Sequence, residues 1–175
     1  MRPRVDSRRP DREDIEELLE LAVRAPNHHL TEPWRFYVLA GPERSRLANA
    51  IADAAIYAGS DPDEARADAA KKVDRAPVIV VFTCLPSTKP EVLEQEDVGS
   101  VLMAIQNFLI GAHAKGLGAM LRTGPVTDHP KTKDHLGLAS DERVVGFVYL
   151  GYPEHHRAPT PRASAAELTR WLGWD

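Results

Sequence analysis

The sequence predicts a chain of mixed helix and strand, with a mixed central sheet flanked by helices on both faces. Three observations lead to that class. Val78-Ile79-Val80-Val81-Phe82-Thr83 is an unbroken run of apolar, mostly β-branched residues, the pattern of a strand covered on both sides. From Glu91 to Lys115 the residues Val98, Val101, Leu102, Ile105, Leu109 and Ala112 recur at helical spacing. After Gly99 that helix is apolar around most of its circumference, so it is buried against more than its own sheet. The order helix, strand, helix, helix, strand, long helix, strand, helix, strand supplies too few strands per crossover helix for a regular doubly wound fold.

Each element has local reasons. Asp11-Arg12-Glu13-Asp14 offers a capping residue and an acidic first turn, the signature of a helix start. Ile15, Leu18, Leu19, Ala22 and Val23 then give that helix one apolar face up to about Arg24. Trp34 to Ala40 reads as a strand stopped by Gly41-Pro42, and Glu43 to Ala58 as a helix with Leu47, Ile51 and Ala54 or Ala55 on one side. Gly59-Ser60-Asp61-Pro62 is a turn by composition, and Asp63 to Arg75 an exposed helix ended by Ala76-Pro77. The long helix closes with Lys115 in its last turn and Gly116 at the C′ position; it reads as the central helix and as part of a subunit interface. Ala119 to Leu121 is a short strand, Lys131 to Leu136 a short helix and Arg143 to Leu150 a strand. The chain is a single domain over residues 1–175. Residues 153–175 form an irregular tail with a last helix at Ala165 to Leu172, and Trp171 and Trp174 give that helix something to bury.

Composition narrows the function classes. With 43% hydrophobic and 27% charged residues the chain is of globular type, and no apolar run approaches the roughly 20 residues of a bilayer span. No membrane partner is expected. A net charge of -4 with both signs mixed along the chain lacks the basic excess that favours a nucleic-acid partner. The single cysteine, Cys84, forms no intramolecular disulfide, and the first residues carry no apolar signal-peptide core, so the expected location is cytoplasmic. At 175 residues there is no room for a cofactor domain beside a substrate domain, so an active site is either compact or shared between subunits.

Several motifs fall away on inspection. Gly116-Leu117-Gly118 lacks the third glycine of a dinucleotide fingerprint, since position 121 is Leu, and it follows a helix C-terminus where the phosphate needs an N-terminus. There is no P-loop and no Gly-x-Ser-x-Gly elbow, and the seven histidines fall in no zinc spacing. His113 reads as a structural imidazole, His155-His156 as solvated tail and Cys84 as inert packing at a strand end. Trp34, Phe36 and the Trp171/Trp174 pair are core or interface aromatics.

Two segments survive. The loop Arg24-Ala25-Pro26-Asn27-His28-His29-Leu30-Thr31-Glu32-Pro33-Trp34 sets a cation, two imidazoles and an amide beside two prolines that restrict the backbone, and rigid polar loops tend to carry binding chemistry. Leu121-Arg122-Thr123-Gly124 places a cation, a hydroxyl and an unhindered glycine amide at the end of a strand. Fixed cations and N–H donors are what an anionic cofactor needs, whether a phosphate or a reduced flavin ring charged near N1 and O2.

These segments carry a resemblance. Arg-Ala-Pro-Asn-His followed by Pro-Trp-Arg-Phe, then Gly116-Leu117-Gly118-Ala119-Met120-Leu121-Arg122-Thr123-Gly124, then Val145-Gly146-Phe147-Val148-Tyr149-Leu150-Gly151-Tyr152-Pro153, resemble the nitroreductase family, most of all its small YdjA-like branch. The motifs are collinear over about residues 8 to 153. The resemblance implies an α+β fold, a three-layer sandwich that exists as an intertwined homodimer with one FMN in each of two pockets built from both subunits. It implies NADH or NADPH as reductant and a nitroaromatic- or quinone-like small molecule as acceptor, taken in turn by a ping-pong mechanism. Arg24 and His28 match positions that contact FMN, Leu121, Arg122 and Thr123 match the segment along the flavin, and Gly124 adjoins it. Pro26 and Asn27 belong to the same loop, and the nicotinamide-binding stretch falls at Gly111 to Gly116, which the periodicity makes helix interior. No acid or base residue is assigned as catalytic, because the flavin carries the chemistry.

The sequence departs from the family at three places. The Arg-Arg-Ser element that grips the FMN phosphate aligns ahead of Met1, Glu32 stands where many relatives have Gln, and Leu121 where close relatives often have Trp. Either the true start lies upstream, or Arg2, Arg4 or the Arg8-Arg9 pair replaces the anchor, or FMN binds weakly. A catalytically silent flavin- or nucleotide-binding dimer and a specialised flavin enzyme such as a reductive dehalogenase are the alternatives to the oxidoreductase.

Overall fold

The apolar run at the middle of the sequence becomes the middle of the sheet. In a computed structural model of the chain, described for residues 5, 7–155, 158 and 160–174, β2 (Val78–Cys84) is buried at every position. It pairs on one side with β1 (Trp34–Ala40) and on the other with β4 (Arg143–Gly151), and β4 in turn pairs with β3 (Gly118–Arg122), giving the order β1-β2-β4-β3. The α+β class stands, but all three pairs are antiparallel, so the sheet within this chain is not the mixed one expected. Strand order explains the difference. Two helices, α2 (Pro42–Tyr57) and α3 (Pro62–Val73), join β1 to β2, so the chain returns antiparallel. One helix, α4 (Glu94–Ala114), joins β2 to β3 and makes them parallel in direction, and β4 inserts between those two strands.

Strand alternation divides the core into two layers. Val78, Val80, Phe82 and Cys84, with Val148 and Leu150, face α4 and α1 (Arg12–Ala22), meeting Leu18, Ile105 and Phe108. Ile79, Val81, Phe147 and Tyr149 face α2 and α3, meeting Leu47, Ile51, Ala69 and Val73. Phe36, Phe82 and Phe108 stack edge to face at 5.1 and 5.4 Å, a favourable geometry for their quadrupoles. The helix pair α1/α4 is close because Gly111 carries no side chain. A Cβ there would stand 2.7 Å from Leu21 Cδ1 and 2.9 Å from Leu18 Cδ2. At the far end of that pair Lys115 Nζ reaches Asp14 and Glu17, each at 2.7 Å.

The remaining elements follow the sequence with small shifts. Gly116 takes φ +73 at the end of α4, as a C′ glycine does. A short α5 (Pro130–Leu136) sits beside α2. The last helix, α6, covers only Ala165–Leu168, and the expectation that its tryptophans find something to bury is not met within the chain. Trp171 and Trp174 stack on each other at 5.5 Å and remain exposed, together with Leu168 and Leu172. Among the described residues no helix is long and apolar enough to cross a membrane.

Candidate functional site

The loop between α1 and β1 holds an unfavourable backbone. His29, Leu30 and Glu32 have φ of 50, 53 and 45, a left-handed conformation that costs an L-residue about 1–2 kcal/mol and clusters at functional sites. His28–Leu30 forms a single 3-10 turn, which nothing in the residue types announces. The loop keeps this shape through specific bonds. The Glu32 N–H donates to Asn27 Oδ1 at 3.0 Å, Arg35 donates to the Glu32 carbonyl at 3.0 Å, and Lys89 Nζ donates to the His29 carbonyl at 2.8 Å. The Thr31 hydroxyl donates to Asp97 Oδ1 at 2.6 Å, and the other oxygen of Asp97 accepts from the Ser87 N–H at 2.7 Å.

On that frame the expected residues face outward. Arg24 is exposed, with only Glu20 at 3.8 Å, and His28 is half-exposed with its Nε2 4.0 Å from Glu96 Oε1. Pro26 is exposed and Asn27 is half-buried. Glu96 is fixed in turn by accepting from the Leu93 N–H at 2.8 Å. The first turn of α4 thus holds the loop, and Glu94 in the same turn pairs with Arg143 at the start of β4 at 2.7 Å.

The second segment is held by strand pairing. Leu121 and Arg122 pair with Val148 and Phe147, and the chain then runs along β4 because Gly146 leaves space. A Cβ on Gly146 would lie 2.6 Å from Leu121 Cδ1 and 3.3 Å from the Arg122 carbonyl. Beyond it, Thr127 donates to the Gly124 carbonyl, and Asp128 Oδ1 accepts from the Val144 N–H at 2.7 Å. Arg122, Thr123 and Gly124 are exposed, and Arg122 makes no ion pair among the described residues. Gly124 has φ 153 and no atom within 4 Å of where a Cβ would be. A free cation, a hydroxyl and an open backbone stretch are a donor set that fits an anionic cofactor.

The two segments lie at the same end of the sheet, since Trp34, Cys84 and Arg143 are in register there. They lie on opposite edges, with β2 and β4 between them, about 14 Å apart at the usual strand spacing. One chain therefore does not bring Arg24 and His28 together with Leu121 to Gly124. Gly111 is buried between α1 and α4 and Gly116 caps α4, so the Gly111 to Gly116 stretch joins neither segment. Arg4 and Arg2 lie outside the described residues. Arg8 stacks on Tyr152 with its Cζ 4.6 Å from the ring centroid, beyond the Gly151 end of β4 and away from Arg122. Thr31, Lys89 and Asp97 were not singled out by the sequence. Asp97 reads there as one of the acidic residues of a helix start, and only its burial reveals another role.

The comparisons with known proteins agree with this architecture. The model of the "Nitroreductase family" matches residues 2–152. This chain belongs to the nitroreductase family. Among curated proteins it is 36% identical over 148 residues to "Putative NAD(P)H nitroreductase YdjA" of Escherichia coli K12, covering 83% of this chain and 79% of that one. Among solved structures, the nitroreductase-like family protein from Bacillus cereus superposes with a TM-score of 0.84 at 23% identity, covering 99% of this chain and 91% of that one. The structure of "a putative nitroreductase in complex with fmn" from Desulfovibrio desulfuricans gives 0.75 at 21% identity with the same coverage. Both share the fold of this nitroreductase-family chain.

Proposed function

We propose that this nitroreductase-family protein is an FMN-dependent NAD(P)H oxidoreductase that reduces nitroaromatic- or quinone-like acceptors, working as a homodimer with each cofactor pocket built from two subunits. The observation that carries the reading is the separation of the two half-sites on opposite sheet edges, each with its functional groups exposed. A second copy supplies the missing half. The exposed Leu168, Trp171, Leu172 and Trp174 of the tail and the exposed Leu102, Met103 and Ile110 of α4 give such a pairing apolar area to cover. The FMN-bound relative from Desulfovibrio and the NAD(P)H in the name of YdjA support the cofactor and the reductant.

Bound FMN would supply two-electron redox chemistry between the nicotinamide and the acceptor. The chain's part is to bind and orient. Arg122 supplies a fixed cation, Thr123 a hydroxyl and Gly124 an unhindered N–H on one side, while Arg24 and His28 approach from the other subunit. Arg122 or Arg24 compensates negative charge at the ring or the phosphate, whose stabilisation by a preorganised cation is a large term in a water-poor site. The proton that the product takes up comes from solvent or from His28, which is half-exposed beside Glu96.

The visible absorption spectrum of the purified protein tests this, before and after FMN is added and again after anaerobic addition of NADH or NADPH. A flavin spectrum that bleaches with either nicotinamide is the expected result. A colourless protein that takes up no FMN overturns it.

A further inference from the structure

Asp97 is fully buried at the first turn of α4, yet its two oxygens are held by neutral donors, the Thr31 hydroxyl and the Ser87 N–H. Among the described residues it has no cationic hydrogen-bond partner, and a buried carboxylate so held is not what stability alone selects. Its side-chain donor, Thr31, stands between Leu30 and Glu32, two of the three left-handed residues of the α1–β1 loop. Thr31 also closes the 3-10 turn, its N–H donating to the His28 carbonyl at 3.1 Å. The bond from Thr31 to Asp97 therefore crosses from the rigid central helix to the middle of the strained loop that presents Arg24 and His28.

We propose that Asp97 is a positioning residue that, through Thr31, holds the α1–β1 loop in its strained form and so presents Arg24 and His28 to the flavin; this rests on the cofactor reading above. Lys89, bound to the His29 carbonyl, reinforces it from the same side. Leaving either Asp97 or Thr31 without its partner releases the left-handed residues to ordinary backbone and moves both side chains.

The test uses the full-length protein and the pair Thr31→Val, which keeps the shape and removes the hydroxyl, and Thr31→Ser, which keeps the hydroxyl. Hydrogen exchange of the Thr31 and Glu32 amides is followed without cofactor, FMN affinity by fluorescence titration, and thermal unfolding of the apoprotein alongside. Thr31→Val should speed exchange at those two amides and weaken FMN by about tenfold or more, the size of a lost hydrogen bond to a charged group. The apoprotein's unfolding temperature should fall by a few degrees, because a buried Asp97 oxygen loses its donor, and Thr31→Ser should restore all three readouts. Unchanged exchange in Thr31→Val overturns the proposal, as does faster exchange with wild-type FMN affinity, which would make the bond structural only. If the wild type takes up no FMN, the cofactor reading fails by itself, and faster exchange in Thr31→Val still supports the hold of Asp97 on the loop. Asp97→Ala, which removes both acceptors, should likewise speed exchange at the Thr31 and Glu32 amides.

Discussion

The loop entering β1 and the segment leaving β3 occupy the same end of the sheet, but they are kept in place by different means. The first holds three left-handed non-glycine residues against their preference by side-chain bonds to α4 and its approach. The second follows a paired strand and relies on a missing side chain at Gly146 and an open Gly124. The loop half is thus sensitive to loss of a polar group, and the strand half to gain of bulk. Where one site is assembled from both, each half can be damaged by a change that the other would tolerate.

Gly146→Val should show the largest effect. Its branches enter the space of Leu121 and the Arg122 carbonyl, so the end of β3 must move. Overpacking of this kind costs about 1–3 kcal/mol, read by urea unfolding, and FMN affinity measured by fluorescence quenching should fall by about two orders of magnitude. Arg122→Ala comes next. FMN binding should weaken by about 20-fold, near 1.8 kcal/mol for a lost charge-assisted bond, while the unfolding temperature stays constant because the side chain is exposed and unpaired. Wild-type flavin affinity in that variant would remove Arg122 from the site.

His29→Gly has a smaller effect of opposite sign. A glycine takes φ 50 without penalty, so urea unfolding should show a gain of about 0.5–1 kcal/mol after the entropy of the freer unfolded chain is subtracted. No equivalent gain is open to the β3 half, whose positive-φ position is already Gly124. The smallest effect is read at alkaline pH. Cys84 ends β2 between the two halves, and burial pushes its thiol from 9.0 up to about 12; burial also raises Tyr149 and Tyr37 above 10.0. With folded values above unfolded ones, their contribution is complete below pH 9 and is lost as pH rises toward 12. Cys84→Val should shallow that loss in an unfolding series across this range.

Pattern and composition made nearly every helix and strand legible, because the apolar runs of β2 and β4 and the greasy circumference of α4 are written in adjacent residues. Sheet direction was not, since it depends on β4 slipping between β2 and β3, a choice made by packing far along the chain. The candidate site was legible as two segments. Arg24, His28 and Arg122 stand among prolines and glycines that mark turns, and all three side chains are exposed. Their supports were hidden. Asp97 sits among Glu94 and Glu96, where any acidic residue suits a helix start, and its partner Thr31 lies 66 residues away. The left-handed run over His29, Leu30 and Glu32 was hidden too, because it is imposed by those distant bonds and not by residue type. Trp171 and Trp174 showed their apolar character in the sequence but not that the chain itself leaves them uncovered.

The placement of β4 also governs how the molecule can be made. β2 is apolar at most positions and is emitted by the ribosome well before the strand that covers its second edge. Until β4 has emerged, β2 can pair only with β1, and its other edge presents unpaired amides on a greasy strand, the surface on which nascent chains associate. Every pair in this sheet joins segments distant in sequence, an arrangement that folds slowly. The protein's yield in a cell therefore depends on how well the interval between translation of residues 84 and 143 is shielded, and slowing translation through α4 should lower it more than slowing any stretch after β4.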